Sequence, residues 1–266
     1  MSTFVYAASS EPLDDAELFR ECYERMPLSR QRKCDLFRVR EARRNCAAAW
    51  RLLEIAVKEA AGRYQPFTDS DILIPEEGKI RFADPSLPYF NLSHSGDRVM
   101  CVVSDHKAGC DVEMIPGTAD GAKTDAVKLA GRFFAAREKE AVFSREKPEE
   151  AAELFCRYWT LKESFLKMLG LGLAVPLDSF EIILPEMLSD VEREIYLRGP
   201  NGVPGQPGAA VSDETLRIRV RWLRPDHPDT PETLWFSEYD ADGVYRYSCC
   251  TAEPPASDLK MVRLDI

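Results

Sequence analysis

Histidine is scarce in this chain, with 3 among 266 residues, and the 8 cysteines contain no Cys-x-x-Cys pair. His94, His106 and His227 cannot complete a zinc pattern with them, and the cysteines read as reduced core residues. Nowhere do 18 or more apolar residues follow one another, and the opening MSTFVYAASSEPLDDAE has neither a basic stretch nor a long apolar one. The expectation is a soluble, cytoplasmic, unexported protein without membrane contact. Basic charge is in deficit, with 35 Lys and Arg against 45 Asp and Glu for a net charge of −10, which argues against a nucleic-acid partner. Internal repeats are absent too. The only biased tract is the Gly/Pro-rich stretch 199–208, expected to be a mobile surface loop.

What is present can build a core: 45% hydrophobic and 10% aromatic residues suffice for one large domain or two modest ones. The basic residues are unevenly placed, with 12 Lys and Arg against 6 Asp and Glu between Arg20 and Arg63. A charge run is ordinarily a solvated helix face, but this one also offers a local site for a compact, multiply phosphorylated ligand. It contains a helix expected over 41–61, with Cys46, Ala49, Trp50, Leu53, Val57 and Ala60 on one face and Gly62 as its stop. Arg40, Arg43 and Arg44 sit at its first turn, near Arg32 and Lys33, and a helix N-terminus rich in arginine suits a phosphate.

A second long helix is expected over 148–169. Its apolar arc of Phe155, Tyr158, Trp159, Phe165, Leu166 and Leu169 encloses Lys162, with Glu163 and Lys167 on the shoulder. Ions are costly to bury unpaired, so these side chains need a partner: each other, a metal or an anionic ligand. An ordinary amphipathic helix with a Glu–Lys surface pair is the bland alternative.

Further helices are expected over 14–26, capped by Asp14, and over 29–37, 126–134 and 136–143. Extended pieces fall at 72–74, 79–82 and 89–92. The segments 99–104 and 110–115 read as a hairpin that follows a polar turn, NLSHSGD, at 91–97. Strands of an antiparallel sheet are expected over 179–184, 192–197, 216–223, 234–239 and 244–251, and the polar loop 115–125 is a candidate boundary. In the strand from Cys110, a period of two puts Asp111 and Glu113 on the same face, about 6–7 Å apart by strand rise. In water this is an edge strand with a wet face. In a cleft the two carboxylates need a cation, and hard oxygen ligands without Cys or His suit magnesium.

NLSHSG, GCDVE and WTLKESFLKMLGLGL stand in that order in one chain. Together they make the sequence resemble the 4′-phosphopantetheinyl transferases of the larger, two-halved, surfactin-synthetase-activating type. The likeness is strongest over 78–113 and 155–180, and traceable over 29–50, at 132–134 and over 247–262.

The resemblance implies transfer of the phosphopantetheine arm of coenzyme A to a serine of an acyl or peptidyl carrier protein, with release of adenosine 3′,5′-bisphosphate. It implies Asp111, Glu113 and Glu163 as ligands of magnesium, with manganese as the alternative ion. Glu163 and Lys167 become the catalytic pair, Glu163 as the base on the carrier serine. Lys162 and Lys167 would contact coenzyme A phosphates, as would Ser93 and His94. Arg44 and Lys33 would lie at the 3′-phosphate and adenine end. Lys79 falls where a Gly-Lys-Pro sequence is common in the family, although Ile80 replaces the proline here.

The implied fold is α+β, a monomeric pseudo-dimer of two similar α/β halves, each a helix on a small antiparallel sheet, with the ligand cleft between them. Residues 1–107 would carry the basic helix and the NLSHSG turn, and residues 108–266 the metal-binding strand and the WTLKES helix. Two rival readings keep the same residues: a metal-dependent phosphoanhydride hydrolase, and a non-catalytic protein that binds coenzyme A or a partner. A Ser93–His94 nucleophile pair is disfavoured, because adjacent residues rarely orient a base onto a neighbour.

Overall fold

The computed structural model describes residues 3–63, 66–75, 79–117, 122–197, 217–231, 233–254 and 258–264. Chain order runs β1 (Phe4–Ser9), α1 (Ala16–Glu24), α2 (Leu28–Asp35), α3 (Arg40–Ala61), β2 (Ile72–Leu73), β3 (Arg81–Phe82), β4 (Tyr89–Ser95), β5 (Arg98–Ser104) and β6 (Ala108–Met114). There follow α4 (Ala122–Phe133), α5 (Ala136–Phe143), α6 (Pro148–Leu169), β7 (Phe180–Ile183), α7 (Asp190–Leu197), β8 (Arg219–Trp222), β9 (Trp235–Tyr239), β10 (Tyr245–Thr251) and β11 (Lys260–Met261). The α+β expectation holds. The tract 199–208 lies outside the described residues.

Two sheets carry the architecture. The first has the order β11-β1-β5-β4, antiparallel except that β11 lies parallel to β1; the second has the order β6-β10-β9 and is antiparallel throughout. β5 is central in the first sheet, and its residues Val99 to Val103 are buried on both faces. Val99, Cys101 and Val103 meet α3 through Trp50, Leu53 and Val57, while Met100 and Val102 face Cys110, Val112, Tyr247 and Cys249 of the second sheet. Full burial of side chains such as Leu53 and Val57 contributes roughly 1.5–3 kcal/mol each. Beyond the second sheet, α6 closes its own core with Phe155, Leu161, Phe165 and Leu166. Each long helix ends at a left-handed glycine, Gly62 (φ +68°) and Gly170 (φ +78°), which accepts that conformation without a Cβ clash.

α6 lies directly on β6. A Cβ added at Gly109 would stand 2.1 Å from the Ser164 carbonyl oxygen and 2.3 Å from the Met168 nitrogen, so only glycine allows the helix so close. This approach brings the shoulder of α6, with Glu163 and Lys167, against the carboxylate face of β6.

Several expectations are corrected. β5 and β6 do not form a hairpin: β5 is already paired on both sides, by β1 and β4, so β6 begins the second sheet and pairs with β10. NLSHSGD is not a turn throughout, because β4 runs on to Ser95 and only Gly96–Asp97 turns. The segment 192–197 is helical. Ser189 and Glu192 cap it reciprocally, Ser189 N donating to Glu192 Oε2 at 2.9 Å and Glu192 N to Ser189 Oγ at 3.4 Å. The other strands expected beyond residue 179 are divided between the β7-β8 pair and the second sheet, and β11 joins the first. Asp15, not Asp14, caps α1, accepting from Glu17 N and Leu18 N. β1 escaped the sequence reading because both of its faces are buried, which removes the polar alternation. The 8 cysteines are free and buried. Among the described residues no helix is long and apolar enough to cross a membrane.

Candidate active site at the seam between the sheets

β4 and β6 run side by side as the facing edges of the two sheets, but no backbone ladder joins them. Side chains make the seam instead. Asn91 Oδ1 accepts from Cys110 N at 2.9 Å, and Ser95 Oγ accepts from Met114 N at 3.2 Å. Between them, Ser93 Oγ donates to Asp111 Oδ1 at 2.7 Å and Ser95 Oγ donates to Glu113 Oε2 at 2.7 Å. The period-two reading of Asp111 and Glu113 is therefore realised, with Cys110 and Val112 buried on the opposite face.

α6 supplies the third wall. The Lys167 ammonium lies 2.6 Å from Asp111 Oδ1 and donates to Ser93 Oγ at 3.0 Å. Burial opposes its charge, but the Asp111 carboxylate outweighs that cost and holds the lysine above its ordinary pKa. Glu163 is half-buried one turn before Lys167. Burial and then the repulsion of Asp111 raise its pKa, with Lys167 opposing. Glu113 is pushed up to about 7, by burial first and by Asp111 next, while Ser95 and Lys167 resist and Glu163 adds to the rise.

The carboxylates are close enough to repel one another and are under-satisfied. Asp111 Oδ2 and Glu163 Oε1 are buried without a hydrogen-bond partner. Two orphaned acceptor oxygens beside a carboxyl driven toward protonation make a donor set suited to a hard divalent cation. Among the described residues, however, no three acidic, His or Cys side chains are drawn together as a preformed metal site, and Lys167 takes part of the charge of Asp111.

Lys79 lies on the other side of Lys167. Its ammonium donates to the Ala108 carbonyl oxygen at 2.6 Å, and burial brings its pKa down to about 8. Lys79, Asn91, Lys167, Gly170, Leu171 and Gly172 line a pocket of about 230 Å³. His94 follows Ser93 on β4 and is exposed, and partial desolvation, then Lys167 and Lys33, pull its pKa down. Lys33 belongs to the same field: its pKa is lowered by burial and by Arg30. Arg44 is only 12% exposed and is held by Asp14 at 2.7 Å.

Lys162 stands apart from the cleft. It is fully buried, 2.9 Å from Glu138 Oε1, and donates to the carbonyl oxygens of Leu177 at 2.9 Å and Phe180 at 2.7 Å. Glu138 in turn accepts from Ala135 N and Ile182 N. The expected phosphate contact of Lys162 gives way to a staple joining α5, α6 and β7, since all three ammonium donors already have partners.

Sequence reasoning missed Asn91 and Ser95, although both lie in the quoted NLSHSG stretch. Extending its strand through Ser95 would have placed residues 91, 93 and 95 on one face. It also missed Glu138, whose partner lies on a different helix, for which the sequence offered no signal.

Residues 107–198, which contain Asp111, Glu113, Glu163 and Lys167, match the family model described as the 4′-phosphopantetheinyl transferase superfamily. Curated relatives extend the likeness. A 4′-phosphopantetheinyl transferase of Bacillus subtilis is 32% identical over 177 residues, covering 65% of this chain and 60% of its own length. The 4′-phosphopantetheinyl transferase ffp of Bacillus subtilis is 30% identical, covering 79% of this chain and 76% of its own. The 4′-phosphopantetheinyl transferase psf-1 of Bacillus pumilus is 28% identical over 260 residues, 96% of this chain and 92% of its own.

Proposed function

The chain belongs to the 4′-phosphopantetheinyl transferases, enzymes that transfer the phosphopantetheine group to carrier proteins, and we propose that it does so at the β4–β6 seam. Coenzyme A is the donor. The observation that carries the placement is the convergence of Asp111, Glu113, Glu163, Lys167 and Ser93, with two buried acceptor oxygens left without partners.

Asp111, Glu113 and Glu163 would hold a magnesium ion, or manganese in its place. When bound, the ion supplies positive charge for the pyrophosphate of coenzyme A and for the phosphate that leaves. The chain's own residues do the rest. Lys167 and Ser93 hold a phosphate oxygen, and charge that builds there during transfer strengthens the lysine's contact. His94 and Lys79 flank the same anion, and Lys33 with Arg44 takes the 3′-phosphate end, Arg44 exchanging Asp14 for the ligand. Glu163 accepts the proton of the carrier serine, directly or through a water. The serine Oγ bonds to the phosphorus that carries the pantetheine arm, the phosphoanhydride bond breaks, and adenosine 3′,5′-bisphosphate leaves. Lys162 has no part in binding.

We read two units of like build on either side of Lys107, each a 22-residue helix on a small sheet, as the halves of a pseudo-dimer, with β11 crossing back to the first sheet. A chromatographic assay of the released bisphosphate tests the reaction. Release should need an apo carrier protein, coenzyme A and a divalent cation together; release without a carrier would point to hydrolysis.

A further inference from the structure

The turn that closes β4 onto β5 is held from both halves of the molecule. Ser10 N donates to the Asp97 carbonyl oxygen at 2.8 Å, and Asn45 Nδ2 donates to the Gly96 carbonyl oxygen at 2.8 Å. Ser10 Oγ donates to Asn45 Oδ1 at 2.6 Å, so β1 and α3 grip the turn together. From the other side comes Tyr245, the first residue of β10. Its hydroxyl donates to the Asp97 carboxylate and accepts from Asp97 N at 3.2 Å.

The tyrosine is itself braced. The Arg98 guanidinium lies 5.2 Å from the ring centroid, 3.0 Å from Asp97 and 3.2 Å from Asp242. Asp242 accepts from Val244 N, Tyr245 N and the Tyr247 hydroxyl. A side chain at position 96 would collide with this latch, since a Cβ there would sit 2.5 Å from the Tyr245 hydroxyl and the backbone has φ +52°.

Its place gives the latch its consequence. Tyr245 lies opposite Met114 in the β6–β10 register, next to Glu113, and Asp97 lies two residues beyond Ser95, which bonds Glu113. β4 and β6 have no backbone ladder to set their spacing, so a side-chain clamp at the end of the seam must help to set it. We infer that Tyr245 and Asp97 are positioning residues for the transfer reaction, pinning the Ser93–Asp97 stretch against β6 so that Ser93, His94 and Ser95 are set before coenzyme A arrives. The inference rests on the function proposed above.

Tyr245→Phe removes the hydroxyl and keeps the ring for Arg98. It should raise KM for coenzyme A about tenfold, while kcat at saturating coenzyme A stays within about twofold, because the bound ligand re-forms the seam. Asp97→Ala should do the same, Asp97→Asn should recover most of the loss by restoring an acceptor, and the double variant Tyr245→Phe/Asp97→Ala should be no worse than either single one. Hydrogen exchange on the ligand-free protein is the independent reading: amides 93–98 should exchange faster in Tyr245→Phe while those of β5 beyond Val99 stay protected. Unchanged exchange, additive losses, or faster exchange with unchanged KM would each overturn the inference. If the wild type transfers no arm to any carrier while exchange still responds, the functional reading falls and the latch is structural only.

Discussion

Replacing Lys162 by Met separates a structural lysine from a ligand-binding one. The ammonium is fully buried and has three partners: Glu138 Oε1 at 2.9 Å and the carbonyl oxygens of Leu177 and Phe180. It also lies 4.2 Å from the centroid of the Phe180 ring. Methionine fills much of the volume but leaves Glu138 buried at 1% exposure without its cation, in an environment that already raises its pKa by desolvation. Removing one partner of a buried pair costs about 3–5 kcal/mol, and two carbonyl groups lose a donor besides. Against a typical stability of roughly 5–15 kcal/mol, that loss is readily measured in urea. Lys162→Met should therefore lower the urea midpoint sharply, and Lys162→Met/Glu138→Leu should recover part of the loss because no unpaired charge remains. The folded fraction should keep its coenzyme A affinity within about twofold. A stable Lys162→Met protein with affinity reduced tenfold would refute the reasoning and return Lys162 to the ligand.

Three further outcomes are expected. Gly109→Ala forces a Cβ into the α6 backbone and should cost about 1–3 kcal/mol or more, seen as a lowered melting temperature with transfer lost in parallel; a stable, active variant would contradict the helix–strand approach. Lys79, with its pKa brought down to about 8, is charged below that pH and neutral above it, so coenzyme A affinity should fall as pH rises through about 8. Lys79→Arg, which stays charged, should remove that fall, and an identical pH profile in calorimetry would exclude Lys79 from the anion. Glu163→Gln should lower the transfer rate by about 10²–10⁴-fold with an unchanged unfolding midpoint, and comparable activity would remove Glu163 from the chemistry.

The parts legible in the sequence are those whose signal is local. α3 and α6 announce themselves by an apolar arc and a glycine stop, and Asp111 and Glu113 by alternation with Cys110 and Val112. Lys162 shows the limit of periodicity: the arc places it correctly inside the core, but its partner Glu138 sits on a helix that reads as an ordinary surface segment. The β6–β10 pairing joins residues more than 120 positions apart, and nothing local competes with the nearer but wrong pairing to β5. Residues 190–197 did carry a legible signal, the Ser189–Glu192 capping box, which outweighs the apparent alternation of charged and apolar residues. Tyr245 on Asp97 was out of reach altogether, being a long-range contact that depends on how the two sheets abut.

The most direct test of the account is the intact mass of an apo carrier protein incubated with this protein, coenzyme A and magnesium, with chelator and Glu163→Gln controls alongside. The account predicts a gain of one phosphopantetheine arm on the carrier, absent with chelator and nearly absent with Glu163→Gln. No gain on any of several unrelated carriers, while coenzyme A still binds, would contradict it.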